Sequence, residues 1–569
     1  MNTLFRFPRR LIAGLFLVLF ALATAGLGRA QVYVGRPKLI VIVVIDQFRG
    51  DYLMRDRAKL TGRGFRLFTE EGAWFTDCYY DYANTKTAPG HATLGTGAYS
   101  NGHGIDSNEF WDLSRSNVRK VSSVEDERYQ LVDVPASEIP ANQPGAAADA
   151  LHYLIGSSPR SLRATAFGDE LRLATQGRSR VYGISLKDRA AILPAGQAAN
   201  GAFWLDEATG HFTTSTYYME HLPEWARAFN ASGRAEAAAK LANVKGTTQF
   251  EAMVGRLPLA NDYELDFAKA LIEGERLGQG ETTDLVTVSL SANDITGHMF
   301  GPDSRQQEQM ILGLDRSLDS FFGWLDKKIG LGNVWLTLSA DHGVAPIAAN
   351  AARLGVHAAT VNVAELTAEL NKKLNARFSP GAKVDYLMPG LDLPYVTLNR
   401  EAFEKSKINE QTAEQALAEL LPAAVAAQTP KTAEPLPAQH KLPPVPRVAA
   451  VYTKQQLAEG RLPQTEWARL IEHSYVDHGT WFDMVVLEGY QLPALNASGG
   501  TTHFSPWSYD RHVPLAFYGA PFRPGEYHER VAPVDMATTL ASLAGVNQPS
   551  AAVGRVLTEA LKSSADKEK

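Results

Sequence analysis

Residues 38–46 read K-L-I-V-I-V-V-I-D and decide the fold of this chain. The run is continuous, apolar and rich in β-branched residues, which is typical of a strand buried on both faces of a parallel sheet. Residues 284–290, 334–340 and 483–487 have the same character and are predicted as further strands. Between residues 290 and 334, Ser304 to Lys328 carries apolar residues along one face, which predicts an amphipathic helix. This β-α-β alternation predicts an α/β fold with a largely parallel central sheet.

Carboxylates and histidines follow the predicted strands. Asp46 ends the first run, and the motifs D-x-x-x-H (294–298) and D-H-G (341–343) follow the next two. Open α/β sheets bind ligands beyond the carboxyl ends of their strands, so we expect these side chains to meet there. A later G-T-T-H motif adds an imidazole, and three carboxylates with three imidazoles form the mixture that holds two zinc ions. The six candidate metal ligands are Asp46, Asp294, His298, Asp341, His342 and His503.

A threonine motif, T-A-P-G-H, begins at Thr87. Proline is favoured at the first position of a helix and threonine commonly caps one, so Thr87 is predicted at a helix N-terminus, where backbone N–H groups favour an anion. A hydroxyl beside two metal ions is a potent nucleophile toward phosphorus, and the pattern therefore predicts a phosphate-ester hydrolase. Taken alone, Thr87 is better explained as a simple capping residue. Thr85 is the alternative nucleophile, further from the start of the helix.

Two basic residues, Lys187 and Arg189, follow the short apolar segment 181–184. Alternate residues of a strand face the same side, so both are predicted to reach one phosphate. Arginine would bind it as a planar fork and lysine as a point charge. The alternative is an ordinary solvated basic pair.

The composition fits an exported enzyme. The chain has 569 residues, 45% hydrophobic and 21% charged, and its net charge of -6 argues against nucleic acid as a stable partner. A basic segment, the apolar run 11–25 and a small residue at Ala30 predict that residues 1–30 are a signal peptide cleaved after Ala30. An uncleaved anchor is the alternative, but the run is shorter than the about 20 residues of a bilayer span. We expect a periplasmic or secreted protein with no membrane span after cleavage.

The mature chain, residues 31–569, is predicted to be one catalytic domain with additions. A mainly helical insertion is expected at about residues 200–280 and a second insertion at about 400–475. The second includes the Pro- and Ala-rich segment 422–447, which is interpreted as an exposed linker. The sequence leaves the oligomeric state open and is compatible with a monomer.

Seven ordered motifs resemble those of the alkaline phosphatase superfamily, in its nucleotide pyrophosphatase/phosphodiesterase-like branch. Within that branch the chain is most similar to the phosphate-irrepressible (PafA-type) alkaline phosphatases. The motifs are V-V-I-D-Q-F-R-G-D-Y, N-T-K-T-A-P-G-H-A-T, G-I-D-S-N, S-L-K-D-R-A-A-I-L-P-A-G, S-A-N-D-I-T-G-H, S-A-D-H-G and G-T-T-H-F-S-P-W-S-Y-D-R-H-V-P. The similarity runs from Lys38 to Leu557, which is nearly the whole mature chain.

The resemblance implies an alkaline-phosphatase-like three-layer sandwich and a role for each motif. Thr87 would attack phosphorus and form a phosphothreonine. Asp46, Asp341 and His342 would hold the zinc ion that activates Thr87. Asp294, His298 and His503 would hold the zinc ion at the leaving group. The phosphoryl oxygens would be bound by the Thr87 amide, Asn108, Lys187 and Arg189.

The Lys-x-Arg pair bears on the substrate. Two cations facing the outer phosphoryl oxygens suit a monoester, which carries nearly two negative charges, and would crowd a diester. We therefore expect a phosphomonoesterase that acts on small-molecule phosphate monoesters. The alternative is a nucleotide pyrophosphatase/phosphodiesterase with the same metals and nucleophile. One departure from the family pattern is Phe504, which follows His503 where relatives often have glycine, and which is expected on the leaving-group side.

Overall fold

The computed structural model describes residues 36–113, 118–134, 155–244, 250–428, 445–494 and 500–562. The predicted signal peptide, residues 1–30, lies outside these ranges, as does most of the predicted linker. No helix within the ranges combines the length and the apolar character that a bilayer span requires.

The strands of the described residues are short, with at most seven residues each. They are β1 (Leu39–Ile45), β2 (Ala73–Tyr79), β3 (Glu109–Asp112), β4 (Arg119–Ser122), β5 (Glu125–Gln130), β6 (Ile155–Ser157), β7 (Val181–Ser185), β8 (Gly201–Leu205), β9 (Phe212–Thr213), β10 (Asp284–Leu290), β11 (Val334–Ser339), β12 (Ala359–Val361), β13 (Tyr395–Leu398), β14 (Val448–Thr453), β15 (Trp481–Leu487), β16 (Gln491–Pro493), β17 (His512–Tyr518) and β18 (Gly525–Tyr527).

The α-helices range from one turn to more than six. They are α1 (Tyr52–Arg55), α2 (Arg63–Thr69), α3 (Thr87–Thr96), α4 (Ser100–His103), α5 (Phe167–Ala174), α6 (Asp188–Ala195), α7 (Glu224–Asn230), α8 (Arg234–Leu241), α9 (Phe250–Met253), α10 (Leu259–Gly274), α11 (Ala292–Phe300), α12 (Arg305–Lys328), α13 (Ala348–Arg353), α14 (Val363–Phe378), α15 (Arg400–Lys405), α16 (Glu410–Ala426), α17 (Lys454–Ala458), α18 (Glu466–Ser474), α19 (Ser508–Arg511) and α20 (Val534–Ala544).

A mixed, mostly parallel sheet forms the centre of the molecule. Its order in the described part of the chain is β18-β2-β17-β11-β1-β10-β7-β8-β9. The central strand β1 pairs in parallel with β10 and β11, and each of its residues is at most 1% exposed. Both faces of the sheet are therefore covered, which explains the continuous apolar sequence of these strands. The predicted α/β fold with a largely parallel sheet is confirmed, and so is the helix predicted over 304–328, which is α12 with Ser304 as its N-cap.

The prediction that 483–487 forms another strand of this sheet is wrong. These residues lie in β15, the middle strand of a separate antiparallel sheet with the order β13-β15-β14. Val485 and Met484 pack into two different apolar clusters, so β15 is also buried on both faces. An apolar run indicates that a strand is buried but does not indicate which sheet the strand joins. On its side away from β1, β10 pairs in the main sheet with β7, whose five residues are all buried.

The two ranges predicted as insertions have different structures. Within 200–280, β8 and β9 continue the main sheet, and the helices α7 to α10 follow them. Residues within 361–487 build a second apolar core around α14, α16 and β15. The division of the chain into one catalytic domain with two insertions stays a prediction.

The carboxyl ends of β1, β10 and β11 meet at one edge of the sheet, because all three strands run in parallel. Helix α3 approaches the same edge very closely. A Cβ atom added to Gly90 of this helix would lie 2.2 Å from the backbone oxygen of Asp341. The glycine therefore allows the first turn of α3 to lie against the end of β11.

Candidate active site

The six predicted metal ligands come together at this edge of the sheet. Asp46 follows β1 directly, Asp341 and His342 follow β11, and Asp294 and His298 lie on α11 just after β10. Five of the six side chains are buried, and His298 is 27% exposed. Within the described ranges, ligand atoms lie within 4.8 Å of one another in two groups: Asp294, His298 and His503, and Asp46, Asp294 and His342. Asp341 adjoins the second group, with Oδ2 3.5 Å from Nε2 of His342.

Backbone carbonyl groups orient the three imidazoles. Nδ1 of His298 lies 2.8 Å from the oxygen of Thr501, Nδ1 of His342 lies 2.9 Å from that of Gly343, and Nδ1 of His503 bonds that of Thr85. Since a carbonyl oxygen only accepts, each Nδ1 carries a proton, which leaves each Nε2 as the ring nitrogen available to a metal. The Nε2 atoms of His298 and His342 face carboxylates, at 3.1 Å from Asp294 and 3.5 Å from Asp46. This is the tautomer and orientation that metal-binding histidines adopt.

The donor set fits divalent metal ions. Oδ1 of Asp46, Oδ2 of Asp341 and Nε2 of His342 are buried and have no hydrogen-bond partner among the described residues. A buried acceptor without a partner is costly, whereas a bound cation satisfies several acceptors at once. Three such atoms in one cluster are therefore consistent with a metal centre.

Lys187 places a positive charge beside two of the carboxylates. Its Nζ lies 2.6 Å from Oδ2 of Asp46 and 2.6 Å from Oδ2 of Asp294. The argument that strand alternation directs Lys187 and Arg189 to one side is wrong, because β7 ends at Ser185 and α6 begins at Asp188. Lys187 precedes the helix and Arg189 lies in its first turn. The Nε atom of Arg189 is buried and has no hydrogen-bond partner in the described part of the chain, so its N–H can donate to a bound anion.

Burial and charge set the protonation of the cluster. Burial raises the pKa of Asp46 well above its usual value, and the neighbouring carboxylates of Asp294 and Asp341 raise it further. Burial would also raise the pKa of Asp294, but His298 and Lys187 hold that pKa well below its usual value. Burial lowers the pKa of His503, and the imidazoles of His342 and His298 lower it further. His503 is therefore neutral near pH 7, which is the form that binds a metal.

Thr87 is the first residue of α3, which confirms its predicted position at a helix N-terminus. It is 2% exposed and lies next to the polar side chain of Asn108, whose Oδ1 accepts a 2.8 Å hydrogen bond from the Ala88 N–H. His91 supports the same turn, with Nδ1 2.8 Å from the Thr87 carbonyl oxygen. The first turn of α3 is thus held from two sides.

Thr85, the alternative nucleophile, has a different function in the structure. Its Oγ1 accepts hydrogen bonds from the N–H groups of Phe504 and Ser505, each at 3.2 Å, and donates to the Ser505 carbonyl at 3.3 Å. Its own carbonyl bonds His503. The hydroxyl is occupied in holding the loop 503–505, which favours Thr87 as the nucleophile.

The sequence argument missed Gln47, which connects the two groups of ligands. Its backbone N–H donates to Oδ1 of Asp341 at 3.0 Å, and its Nε2 donates to Oδ1 of Asp294 at 2.6 Å. Gln47 adopts a left-handed conformation with φ 62°, so its backbone and side chain both turn into the site. The only available signal was its position next to Asp46.

A buried cluster of carboxylates and imidazoles, beside a threonine at a helix N-terminus and at the strand ends of an α/β sheet, defines a metal-dependent phosphate-ester hydrolase. Residues 40–462 match the type I phosphodiesterase / nucleotide pyrophosphatase family, and the chain belongs to this family. The resemblance inferred from the seven motifs is confirmed.

Curated relatives and a solved structure agree with this classification. The chain is 32% identical over 568 residues to alkaline phosphatase PafA of Elizabethkingia meningoseptica, covering 93% of this chain and 95% of that protein. It is 32% identical over 564 residues to alkaline phosphatase PhoV of Synechococcus elongatus, covering 93% and 94%. The crystal structure of wild-type PafA is similar with a TM-score of 0.78 at 31% identity, and the match covers 93% of this chain and 100% of that one.

Proposed function

We propose that this protein is an alkaline phosphatase that hydrolyses phosphate monoesters at a two-zinc site, with Thr87 as the nucleophile. The observation that carries the proposal is the cluster of six candidate ligand side chains, five of them buried, beside the N-terminus of α3. Its relatives named alkaline phosphatases support the same activity.

The donor atoms suit zinc, because imidazole and carboxylate groups are its usual ligands together with thiolate. Asp46, Asp341 and His342 would hold one ion, and Asp294, His298 and His503 the other. When bound, the two ions supply the positive charge that favours a Thr87 alkoxide and a negatively charged leaving oxygen.

The first step is attack of Thr87 Oγ on phosphorus. The bond from phosphorus to the ester oxygen breaks, and that oxygen leaves with the electron pair as the alcohol or its alkoxide. The product is a phosphothreonine at position 87. The N-terminus of α3 favours negative charge on Oγ before the attack, because the positive end of the helix dipole lies at this first turn, of which Thr87 is the first residue. Water then attacks the phosphorus, releases phosphate and restores the hydroxyl group.

Asn108 is suited to bind one nonbridging phosphoryl oxygen. Its Oδ1 already accepts from the Ala88 N–H, so its side-chain amide is fixed, and its Nδ2 carries two N–H donors. The Thr87 N–H belongs to the same helix start and would donate to the same oxygen. Such preorganised donors stabilise charge that develops on the phosphoryl group.

Lys187 and Arg189 would bind the remaining charge of a monoester. Lys187 uses two of its three donors on Asp46 and Asp294, which leaves one N–H for a phosphoryl oxygen. Among the described residues the Nε of Arg189 has no hydrogen-bond partner, and its side chain is 25% exposed, so it remains accessible to substrate. Together they favour a phosphoryl group that carries nearly two negative charges.

A phosphodiesterase is the second candidate, because the family description includes type I phosphodiesterases. The test is steady-state hydrolysis of nitrophenyl phosphate and bis-nitrophenyl phosphate by the zinc-loaded protein without residues 1–30. An EDTA-treated sample and Thr87→Ala are the controls. The proposal predicts monoester turnover far above diester turnover, lost in both controls. The reverse ratio would assign the protein to the phosphodiesterases, and full turnover by Thr87→Ala would reject the nucleophile.

Export to the periplasm or the exterior is part of the proposal and is supported by the basic and apolar character of residues 1–30. Expression of the full chain in a Gram-negative host, followed by N-terminal sequencing of the periplasmic product, tests it. A mature protein that begins at Gln31 is expected. Retention of Met1 on a membrane-bound protein would contradict cleavage.

A further inference from the structure

Phe504 has a backbone conformation that bulky residues rarely adopt. Its φ is 93°, and it directly follows the predicted ligand His503. Glycine reaches this region freely, whereas a large side chain there is a strained outlier. Such strain persists only where the surrounding structure holds it, and it concentrates at functional sites. A large aromatic side chain at this position therefore indicates a functional role.

Thr85 holds the strained loop in place. Its hydroxyl oxygen accepts from the N–H groups of Phe504 and Ser505, each at 3.2 Å, and its carbonyl accepts from Nδ1 of His503. Because Thr85 lies two residues before Thr87, the loop is fixed relative to the nucleophile. The position of the Phe504 ring is consequently fixed as well.

The ring lies beside the candidate ligand His503 and beside Lys86, the residue before Thr87. Its centroid is 4.2 Å from that of the His503 imidazole, with an interplanar angle of 70°. Nζ of Lys86, the residue before Thr87, lies 4.7 Å from the same ring centroid. Lys86 is buried and is fixed by Asp392 at 2.8 Å and by Ser107 at 2.9 Å, so it holds its place beside the ring. Phe504 itself is half-buried, which leaves part of the ring accessible.

We propose that Phe504 determines specificity by forming an apolar wall for the organic group of the phosphate ester. The inference rests on the proposed function, in which His503 belongs to the leaving-group side of the site. One face of the ring interacts with the Lys86 ammonium, and the accessible part of the ring remains for the substrate. Aromatic groups attract one another in stacked or edge-to-face arrangements, so an aryl leaving group benefits from this wall. A leaving group as small as methoxide does not extend far enough to contact it.

The test compares kcat/KM for phenyl phosphate and methyl phosphate in the full-length mature enzyme, Phe504→Gly and Phe504→Leu. Each variant is compared with the parent on the same substrate, so the different reactivities of the two esters cancel. We expect the ratio of the phenyl to the methyl value to fall about tenfold in Phe504→Gly, the upper range of an aromatic contact. A smaller fall is expected in Phe504→Leu, which keeps an apolar side chain but lacks the aromatic face.

Two outcomes would overturn the inference. Unchanged kcat/KM values on both substrates in both variants would mean that the ring does not contact the leaving group. An equal loss on both substrates would mean that Phe504 acts through His503 and not through the substrate. The leucine variant retains a side chain of similar bulk, so it keeps the test valid if the glycine variant does not fold. If the parent enzyme hydrolyses neither ester, the proposed function has failed, whereas an active parent with an unchanged ratio rejects this inference alone.

Discussion

Replacement of Gln47 by methionine should weaken zinc binding without unfolding the protein. Gln47 is 1% exposed, and its Nε2 donates to Oδ1 of Asp294 at 2.6 Å. Methionine has a similar length and keeps the shape of the side chain but removes this donor. The backbone hydrogen bond from position 47 to Asp341 remains in the variant, so only one contact is tested.

The expected magnitude follows from the type of hydrogen bond. A hydrogen bond to a charged group contributes about 1.5–3 kcal/mol, and about 1.4 kcal/mol corresponds to a tenfold change in affinity. The zinc dissociation constant should therefore rise about 10- to 100-fold, which is also the usual effect of losing a group that orients a metal ligand.

Competition with a chelator of known affinity measures this constant, and return of activity with added zinc provides a second readout. The matched control is Gln428→Met, which removes a buried amide that bonds both the N–H and the carbonyl of Asn362, the N-cap residue of α14. This control should lower the free energy of unfolding and leave the zinc affinity unchanged. Unchanged zinc affinity in folded Gln47→Met would refute the reasoning.

Four further predictions concern the site and the core. Asn108→Ala should lower kcat/KM for nitrophenyl phosphate about 10²- to 10³-fold, as for other preorganised donors, and a change below threefold would remove Asn108 from the reaction. Arg189→Ala should lower kcat/KM at least about tenfold more for the monoester than for bis-nitrophenyl phosphate, and equal losses would contradict the substrate argument. Dialysis against EDTA should abolish turnover and added zinc should restore it, whereas turnover that survives chelation would exclude a metal-dependent reaction. Burial lowers the pKa of His103 to about 3, so the unfolded chain binds one more proton than the folded chain between that pH and about 6.5. Acidification through this window should reduce the free energy of unfolding, with His103 contributing up to about 1.4 kcal/mol per pH unit. Urea titrations at several pH values should show that the free energy of unfolding of His103→Gln depends correspondingly less on pH.

The sequence predicts the parts of the fold whose pattern follows from burial. Strands β1, β10 and β11 were predictable because a strand covered on both faces has no polar alternation. Strands β2, β17 and β18, of which β17 runs antiparallel to its neighbours β2 and β11, were not predicted, because their pairing depends on chain segments far apart in sequence. For the same reason β15 was assigned to the wrong sheet, and β8 was included in a range expected to be helical.

The candidate site was predictable where a residue follows a strand or begins a helix. Asp46, Asp341 and Thr87 are in this class, since the backbone direction alone brings them together. Gln47 was not predictable, because its two hydrogen bonds depend on a left-handed backbone. The contact between Lys187 and the carboxylates was missed because it depends on where β7 ends, which composition does not define to within a residue.

The most direct test of the central claim is to find phosphate on Thr87. The zinc-loaded enzyme is mixed with excess nitrophenyl phosphate, quenched in acid within milliseconds, digested and analysed by tandem mass spectrometry. The mechanism predicts a peptide from the 85–96 region that is heavier by one phosphoryl group, with the modification on Thr87 and absent from Thr87→Ala. Phosphate on Thr85, or steady turnover with no phosphorylated peptide at any quench time, would contradict it.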